Sequence, residues 1–395
     1  MGISIGLVGL VAFGSEFAPL FKSHPLVDRI ALCDREPDRI ARFARDPSFT
    51  AKLRPSDTFT SLDEICRARL DAVVLITQPW LHAPQAIQAM ESGKHVYSAV
   101  PIISLPDADE ILEWCDRVVR TCARTGMRYM LGETTYFRPQ AMFCRRMAGA
   151  RAFGDFTYAE GEYFHPYDWK VVDLREVKAQ RLASASGREW SEVQKRYDER
   201  GIRMTPMTYP THSTSGPISV MKAHALKASA FGYTTKCPDP YFDNHEFTNV
   251  TALFQMSNGA QMRVCEHREL AYPESDLFQM EIFRLFGTKG TFRENRWADK
   301  ESWRTLTVEE MRDPLPSDVA NAFRAEYGES KMYGGHGGSH AYLVHEFVDA
   351  VAHGRQPAIN AWEAARYMAA GVAAHRSALR EGEVQHVADW GDAPA

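Results

Sequence analysis

Apolar positions along the chain follow two regimes. From Ile3 to Leu131, short apolar runs alternate with helical patterns. Ile3–Val8, Ile30–Cys33, Ala72–Ile76, His95–Ser98 and Arg128–Leu131 read as strands. Stretches near Glu16–Lys22, Pro37–Arg45, Pro84–Ser92 and Asp107–Thr125 read as helices, the last with Ile111, Cys115, Val118 and Cys122 on one face. Strands separated by helices are the mark of βαβ units, so an α/β fold with a doubly wound parallel sheet is predicted for residues 1–132. Beyond Arg138-Pro139 the runs lengthen and alternate: Phe156–Phe164, Leu226–Tyr233, Asn249–Met256, Ala260–His267 and Phe278–Gly287. Ser257-Asn258-Gly259 reads as a hairpin turn, and Gly287-Thr288-Lys289-Gly290 leads into Thr291–Glu294. Two helices close the chain, Ser339–Ala352 before Gly354 and Ala361–Glu381 before Gly382, with Asn360 and Glu363 in capping-box register. Residues 133–395 are therefore expected to form an α+β domain with an open, mainly antiparallel sheet, its last helices packing back on the first domain. The charged stretch Lys170–Arg203 stands outside this pattern and reads as a lid or interface element.

Composition narrows the class. The 395 residues suit two domains of ordinary size. A hydrophobic content of 45% with 25% charged residues is that of a globular chain. A net charge of -5 with no basic run predicts neither a nucleic acid nor an anionic membrane surface as partner. The apolar stretches Ile3–Phe13 and Ala72–Ile76 fall short of the roughly 18 to 20 residues that span a bilayer. The start runs straight into a strand pattern without a basic segment and cleavage site, so a cytoplasmic location is expected. Seven cysteines, an odd number without CxxC, fit reduced core thiols.

The turn after the first strand reads Gly9-Leu10-Val11-Ala12-Phe13-Gly14, GxVxxG where a dinucleotide fingerprint has GxGxxG. Val11 must displace the phosphates slightly or turn its side chain away while the helix N-terminus still donates N–H groups. Asp34 ends the second strand 20 residues after Gly14, where a carboxylate accepts bonds from the adenosine ribose. NAD is thus the expected cofactor. Arg35 beside it keeps NADP as the second reading, and capping of the next helix is the structural alternative for Asp34.

The stretch Asp71-Ala72-Val73-Val74-Leu75-Ile76-Thr77-Gln78-Pro79-Trp80-Leu81-His82, followed by Ala89-Met90-Glu91-Ser92-Gly93-Lys94-His95-Val96, resembles the Gfo/Idh/MocA oxidoreductases. The resemblance implies a Rossmann domain followed by an α/β domain whose open sheet covers the active site. It also implies that Thr77, Gln78, Pro79 and His82 lie along the nicotinamide half of the cofactor. The family's Glu-Lys-Pro signature here reads Ala99-Val100-Pro101, and a valine can neither give nor take a proton. A second block, Tyr209-Pro210-Thr211-His212, looks like the NAD-dependent glycosidase branch typified by α-N-acetylgalactosaminidases, which also dispenses with the lysine. That resemblance implies transient oxidation at C3 of a sugar, elimination of the aglycone, addition of water and return of the hydride.

Such chemistry needs groups that exchange protons near neutrality. His212 and Tyr163 are the candidates, with His165 two residues further on the same strand face; ordinary structural roles are the alternative for each. On the cofactor side we expect Gly9, Val11, Ala12, Phe13, Asp34, Arg35, Thr77, Gln78, Pro79, His82, Ala99 and Glu133. On the substrate side we expect Tyr136, Arg138, Tyr209, His336 and His340, with Arg138 suited to a carboxylate or sulfonate of an acidic sugar such as a uronide or sulfoquinovoside. His336 and His340 stand four apart, but no Cys or carboxylate is spaced with them, and no metal is expected. The expected substrate is a carbohydrate or glycoside, and the expected assembly a homodimer or homotetramer. A sugar dehydrogenase and a non-catalytic cofactor binder are the competing functions.

Overall fold

The computed structural model describes residues 2–11, 13–271 and 280–394. Ala12, expected at the cofactor, and Phe278, expected to begin a strand, lie outside them. The first layer is a six-stranded parallel sheet of β1 (Ile3–Val8), β2 (Val27–Cys33), β3 (Leu53–Phe59), β4 (Ala72–Leu75), β5 (His95–Ser98) and β6 (Tyr129–Leu131). Its order is β3-β2-β1-β4-β5-β6, so the chain reverses direction between β1 and β4. In such sheets a ligand sits outside the carboxyl ends of the strands at that reversal. The sequence pattern missed β3. Its Leu-Arg-Pro-Ser-Asp-Thr-Phe lacks alternation and carries Pro55, which a strand tolerates at the sheet edge where β3 lies.

The second layer is a nine-stranded sheet in the order β14-β13-β12-β11-β7-β10-β9-β8-β15. Its strands are β7 (Phe156–Phe164), β8 (Ala225–Tyr233), β9 (Asn249–Met256), β10 (Gln261–His267), β11 (Glu281–Gly287), β12 (Gly290–Arg293), β13 (Arg296–Asp299), β14 (Trp303–Thr305) and β15 (Gln385–His386). All pairings are antiparallel except β7 with β10. Register places Tyr163 opposite Glu266 on one side and Glu281 on the other. Because paired residues share a face, these three form a row across three strands. Glu160 and Glu162 face the other way, into ion pairs with Arg263 and Arg284.

Above that row lies the helix Thr211–Met221, in which every residue is buried. Close backbone approach fixes its seat on both sides. A Cβ on Gly161 of β7 would lie 1.8 Å from the Ser213 carbonyl oxygen, and one on Gly371 would lie 2.3 Å from Cβ of Pro210. Gly371 belongs to the helix Ala361–Ala378, which packs on β8 and on the helix Ala108–Thr125 of the first layer and so joins the two layers. Asn360 caps it by accepting from the N–H groups of Trp362 and Glu363.

The charged stretch folds into two helices, Leu174–Ala183 and Ala185–Glu199, capped by Asp173 and Ser184. They contribute little to the core. Among the described residues no helix is long and apolar enough to cross a membrane, and all seven cysteines are free. Replacing an interior helical glycine by alanine ordinarily stabilises by about 1 kcal/mol. At Gly371 the added methyl meets Pro210 instead, an overpacking that costs roughly 1–3 kcal/mol. Gly371→Ala should therefore lower the thermal midpoint measured by calorimetry; a rise would show that the helix does not press on Pro210.

Candidate active site

The glycine turn leaves β1 at the sheet reversal. Gly9 has φ +89°, and a Cβ there would lie 2.2 Å from the Ile76 carbonyl oxygen, so only glycine lets the end of β1 press against the end of β4. A Cβ on Gly14 would lie 2.1 Å from the Gly9 carbonyl oxygen. Val11, in place of the middle glycine, turns outward and is 46% exposed. Asp34 is buried at the end of β2, accepting from Leu10 N–H at 2.9 Å, Glu36 N–H at 3.0 Å and Arg39 at 3.2 Å. An ionised carboxylate has about four acceptor sites, so one remains for a ribose hydroxyl while the others tie the turn to β2. Arg35 is engaged by Glu189 of the helical insertion through two bonds of 2.9 and 3.0 Å.

The second centre lies where the two sheets meet. His212, in the first turn of its helix, places Nδ1 2.9 Å from Glu133 and 3.9 Å from Glu281. Glu133 also accepts from the backbone N–H of Thr135 at 2.9 Å. Glu281 pairs with Arg138 at 2.8 Å and accepts from the Thr135 hydroxyl at 2.7 Å. All four ionisable side chains are buried. Burial pushes the His212 imidazole down, but Glu133 and Glu281 more than offset it, raising its pKa to about 9. Burial pushes Glu281 up, and Arg138 and His212 reverse that, leaving it at about 2. His212 is therefore an imidazolium at neutral pH. With Nδ1–H given to Glu133, its Nε2 has no partner among the described residues. The rings of Tyr163 and Tyr209 flank it at 4.8 and 5.7 Å.

Residues 3–133 match the family described as "Oxidoreductase family, NAD-binding Rossmann fold". That match covers about a third of the chain, and it makes residues 3–133 similar to the NAD-binding domain of the Gfo/Idh/MocA oxidoreductases. It is 25% identical to a "Glycosyl hydrolase family 109 protein" of Solibacter usitatus, over 98% of this chain and 88% of that one. It is 24% identical to an "Alpha-N-acetylgalactosaminidase" of Shewanella oneidensis, over 60% of this chain and 48% of that one. A further Shewanella protein, named like the first, is matched over 37% of its length. Among solved structures, the aldose-aldose oxidoreductase of Caulobacter crescentus superposes with a TM-score of 0.71 at 15% identity, covering 98% of this chain and all of the other. At that identity the likeness is one of fold.

Several expected site residues already have partners within the protein. His82 is buried, its ring between the carbonyls of Pro101 at 2.8 Å and Thr77 at 3.2 Å, and burial lowers its pKa to about 4. It braces the loop after β4 against the Val100-Pro101 segment. Arg138, expected to read an acidic sugar, is consumed by Glu281. Thr77 gives its hydroxyl to Gln85, while Gln78 and Pro79 hold the same loop through their carbonyls to Leu81 and Ser104. Ala99 lies in the backbone ladder, bonded to Leu75. Tyr136 packs under the Arg145 guanidinium at 3.8 Å. His165 lies against Trp169, its pKa lowered to about 4 by burial, and Tyr163 is raised by burial despite Arg268 stacked 4.6 Å over its ring. Neither of the two shifts toward neutrality. Tyr209 donates its hydroxyl to the Val100 carbonyl at 3.1 Å.

His340 is sandwiched by Phe13 and Phe17 and accepts from Gly335 N–H on Nδ1. Its Nε2–H then points to Nδ1 of His336, 2.9 Å away, which leaves the Nε2–H of His336 without a partner among the described residues. The two rings bond each other, and the Glu16 carboxylate lies 3.7 Å from Nδ1 of His340. Glu133, His212 and Glu281 do each offer one ligand atom within 4.8 Å of the others, a juxtaposition the sequence did not reveal. Here the imidazolium and the guanidinium supply the positive charge that such a trio requires.

Sequence reasoning also missed Glu281 and Glu266. Both face inward among apolar neighbours, and a carboxylate in the register of Phe283 and Leu285 is the signal that marks Glu281. Glu266 is held by Ser213 and, at 2.8 Å, by Arg268; burial outweighs both and raises it to about 7.

Since the folded value for His212 lies above the ordinary 6.5, its protonation stabilises the fold fully below about 6.5, and the contribution is lost as pH rises through about 9. An NMR titration of the His212 ring in the cofactor-free protein should give a midpoint near 9, falling by more than one unit in Glu133→Gln. A midpoint below 7 in the unmodified protein would remove the charged imidazole from the account.

Proposed function

We propose that this protein is a redox-neutral, NAD-dependent glycoside hydrolase. The features of the cleft suit a dinucleotide: the glycine turn at the sheet reversal, the outward Val11, the spare acceptor on Asp34, and a buried Glu133 oxygen without a partner among the described residues. The Arg35–Glu189 pair supports NAD over NADP, because the guanidinium that would meet a 2'-phosphate is already engaged. Bound there, NAD supplies a reversible hydride acceptor for a ring carbon.

The chain's own residues then manage protons. Nε2 of His212, once deprotonated, takes the C3 hydroxyl proton as C3 is oxidised; Glu133 holds the ring tautomer and steadies the imidazolium that forms. The C3 ketone acidifies C2, whose proton is removed as the C1–O bond breaks and the aglycone leaves with a proton. Water then adds its oxygen to C1 and a proton to C2, and the return of hydride to C3 and of a proton to its oxygen restores the alcohol. The sum is glycoside plus water to sugar plus aglycone. One observation carries this proposal: where the dehydrogenases' lysine would stand, Val100 offers only a carbonyl, already bonded to Tyr209, and the proton carrier in reach is an imidazole held between two carboxylates.

We further propose a cytoplasmic homodimer or homotetramer, supported by the free thiols and by Phe231, Tyr233 and Leu253, exposed together on the outer face of the second sheet. The test of function uses nitrophenyl glycosides with the NAD-loaded protein. Aglycone release without accumulation of NADH is expected, and His212→Ala should slow it by about 10²–10⁴-fold. NADH formed in proportion to substrate would make the protein a dehydrogenase instead, and full activity of His212→Ala would remove its assigned role.

A further inference from the structure

The helical insertion closes over a cavity of about 280 Å³ next to His212. Tyr163 and Tyr209, the rings that flank His212, form one end of it, and Trp80 stacked on Trp190 at 5.0 Å forms a side wall. Its lining includes the cations Lys178, Arg181 and Arg268 and no carboxylate among the described residues. Arg268 is already paired with Glu266 at 2.8 Å. Lys178 gives one N–H to the Tyr241 carbonyl at 2.9 Å and has two more to offer. Burial pushes its ammonium below the usual lysine range, with Asp243, Asp239 and Asp198 opposing. The Arg181 guanidinium forms no hydrogen bond or ion pair with any described residue. An unpaired guanidinium lining a partly apolar cavity is best satisfied by a planar or tripodal anion that takes several of its N–H groups.

Resting on the glycosidase reading above, we propose that this cavity is a subsite for an anionic group, a carboxylate or sulfonate borne by the glycoside, with Arg181 as its main ligand and Lys178 as its second. The aromatic wall covers the apolar face of the ring, and the insertion supplies the charge reading for which Arg138 is unavailable. Arg181 stands on an exposed helix with few core contacts, so its replacement leaves the fold in place.

The test is calorimetric titration of the NAD-loaded protein with methyl glucuronoside, the corresponding 6-sulfonated methyl glucoside and neutral methyl glucoside. At least one charged sugar should bind tenfold or more tightly than the neutral one, and whichever gains the advantage identifies the anion. Arg181→Ala should erase most of that advantage while the affinities for NAD and for the neutral sugar stay within twofold. Lys178→Met should reduce it to a smaller degree. No advantage for either charged sugar, or an equal loss for all three sugars in Arg181→Ala, would overturn the proposal. Titration reads binding alone: a charge preference without aglycone release refutes the hydrolase and leaves the subsite standing, and release of neutral glycosides without charge preference does the reverse.

Discussion

The site depends on a buried charge balance. Glu133 and Arg138 follow the last strand of the first sheet, His212 comes from the buried helix, and Glu281 begins a strand of the second sheet. Two negative and two positive groups meet away from water, each meeting an opposite charge. Burying any one alone would cost several kcal/mol, and removing one partner of a buried pair typically costs about 3–5 kcal/mol. The same requirement that makes the four mutually dependent holds the two sheets in one arrangement and fixes the imidazole. His212 sits at the positive end of its helix, where the dipole disfavours an imidazolium, so the carboxylates also overcome that term.

The glycine turn and the alternating strands were legible because their signals are local: a positive-φ glycine, a period of two, a hairpin turn. β3 escaped because an edge strand need not alternate. His82 and Arg138 were legible as polar residues in meaningful places, but their partners come from elsewhere in the chain, Pro101 for one and Glu281 for the other, and the sequence order gives no sign of which group will consume them. Glu281 and Glu266 show the converse. Each acquires its meaning from the β-sheet register that lines it up with Tyr163, and that register exists only once three strands have paired. Sequence resemblance carried the cofactor reading further than residue chemistry could, and the structure adds the two carbonyls that hold His82.

The helical insertion gains its place from contacts at both ends of the cleft. Glu189 reaches Arg35 at the end of β2, Trp190 lies on Trp80 after β4, and Tyr197 bonds Glu110 of the helix Ala108–Thr125. The Arg35–Glu189 pair is solvent-exposed, and such a pair contributes only about 0–1 kcal/mol. Its effect is to orient the helices more than to hold them. A cover fixed chiefly by one aromatic stack and a few surface pairs is one that can open and close over the cleft at small cost.

Charge balance, missing lysine and cover together suit the proposed reaction, in which protons and hydride move within one cleft and no net redox product forms. Hydrogen exchange at C2 of the sugar reports on that directly. When a glycoside turns over in D2O, the account predicts one deuterium at C2 of the released sugar, seen by NMR or mass spectrometry, with C3 retaining its original hydrogen. A product carrying protium at C2 would mean that the C2 proton is never removed, and elimination through a C3 ketone would be ruled out.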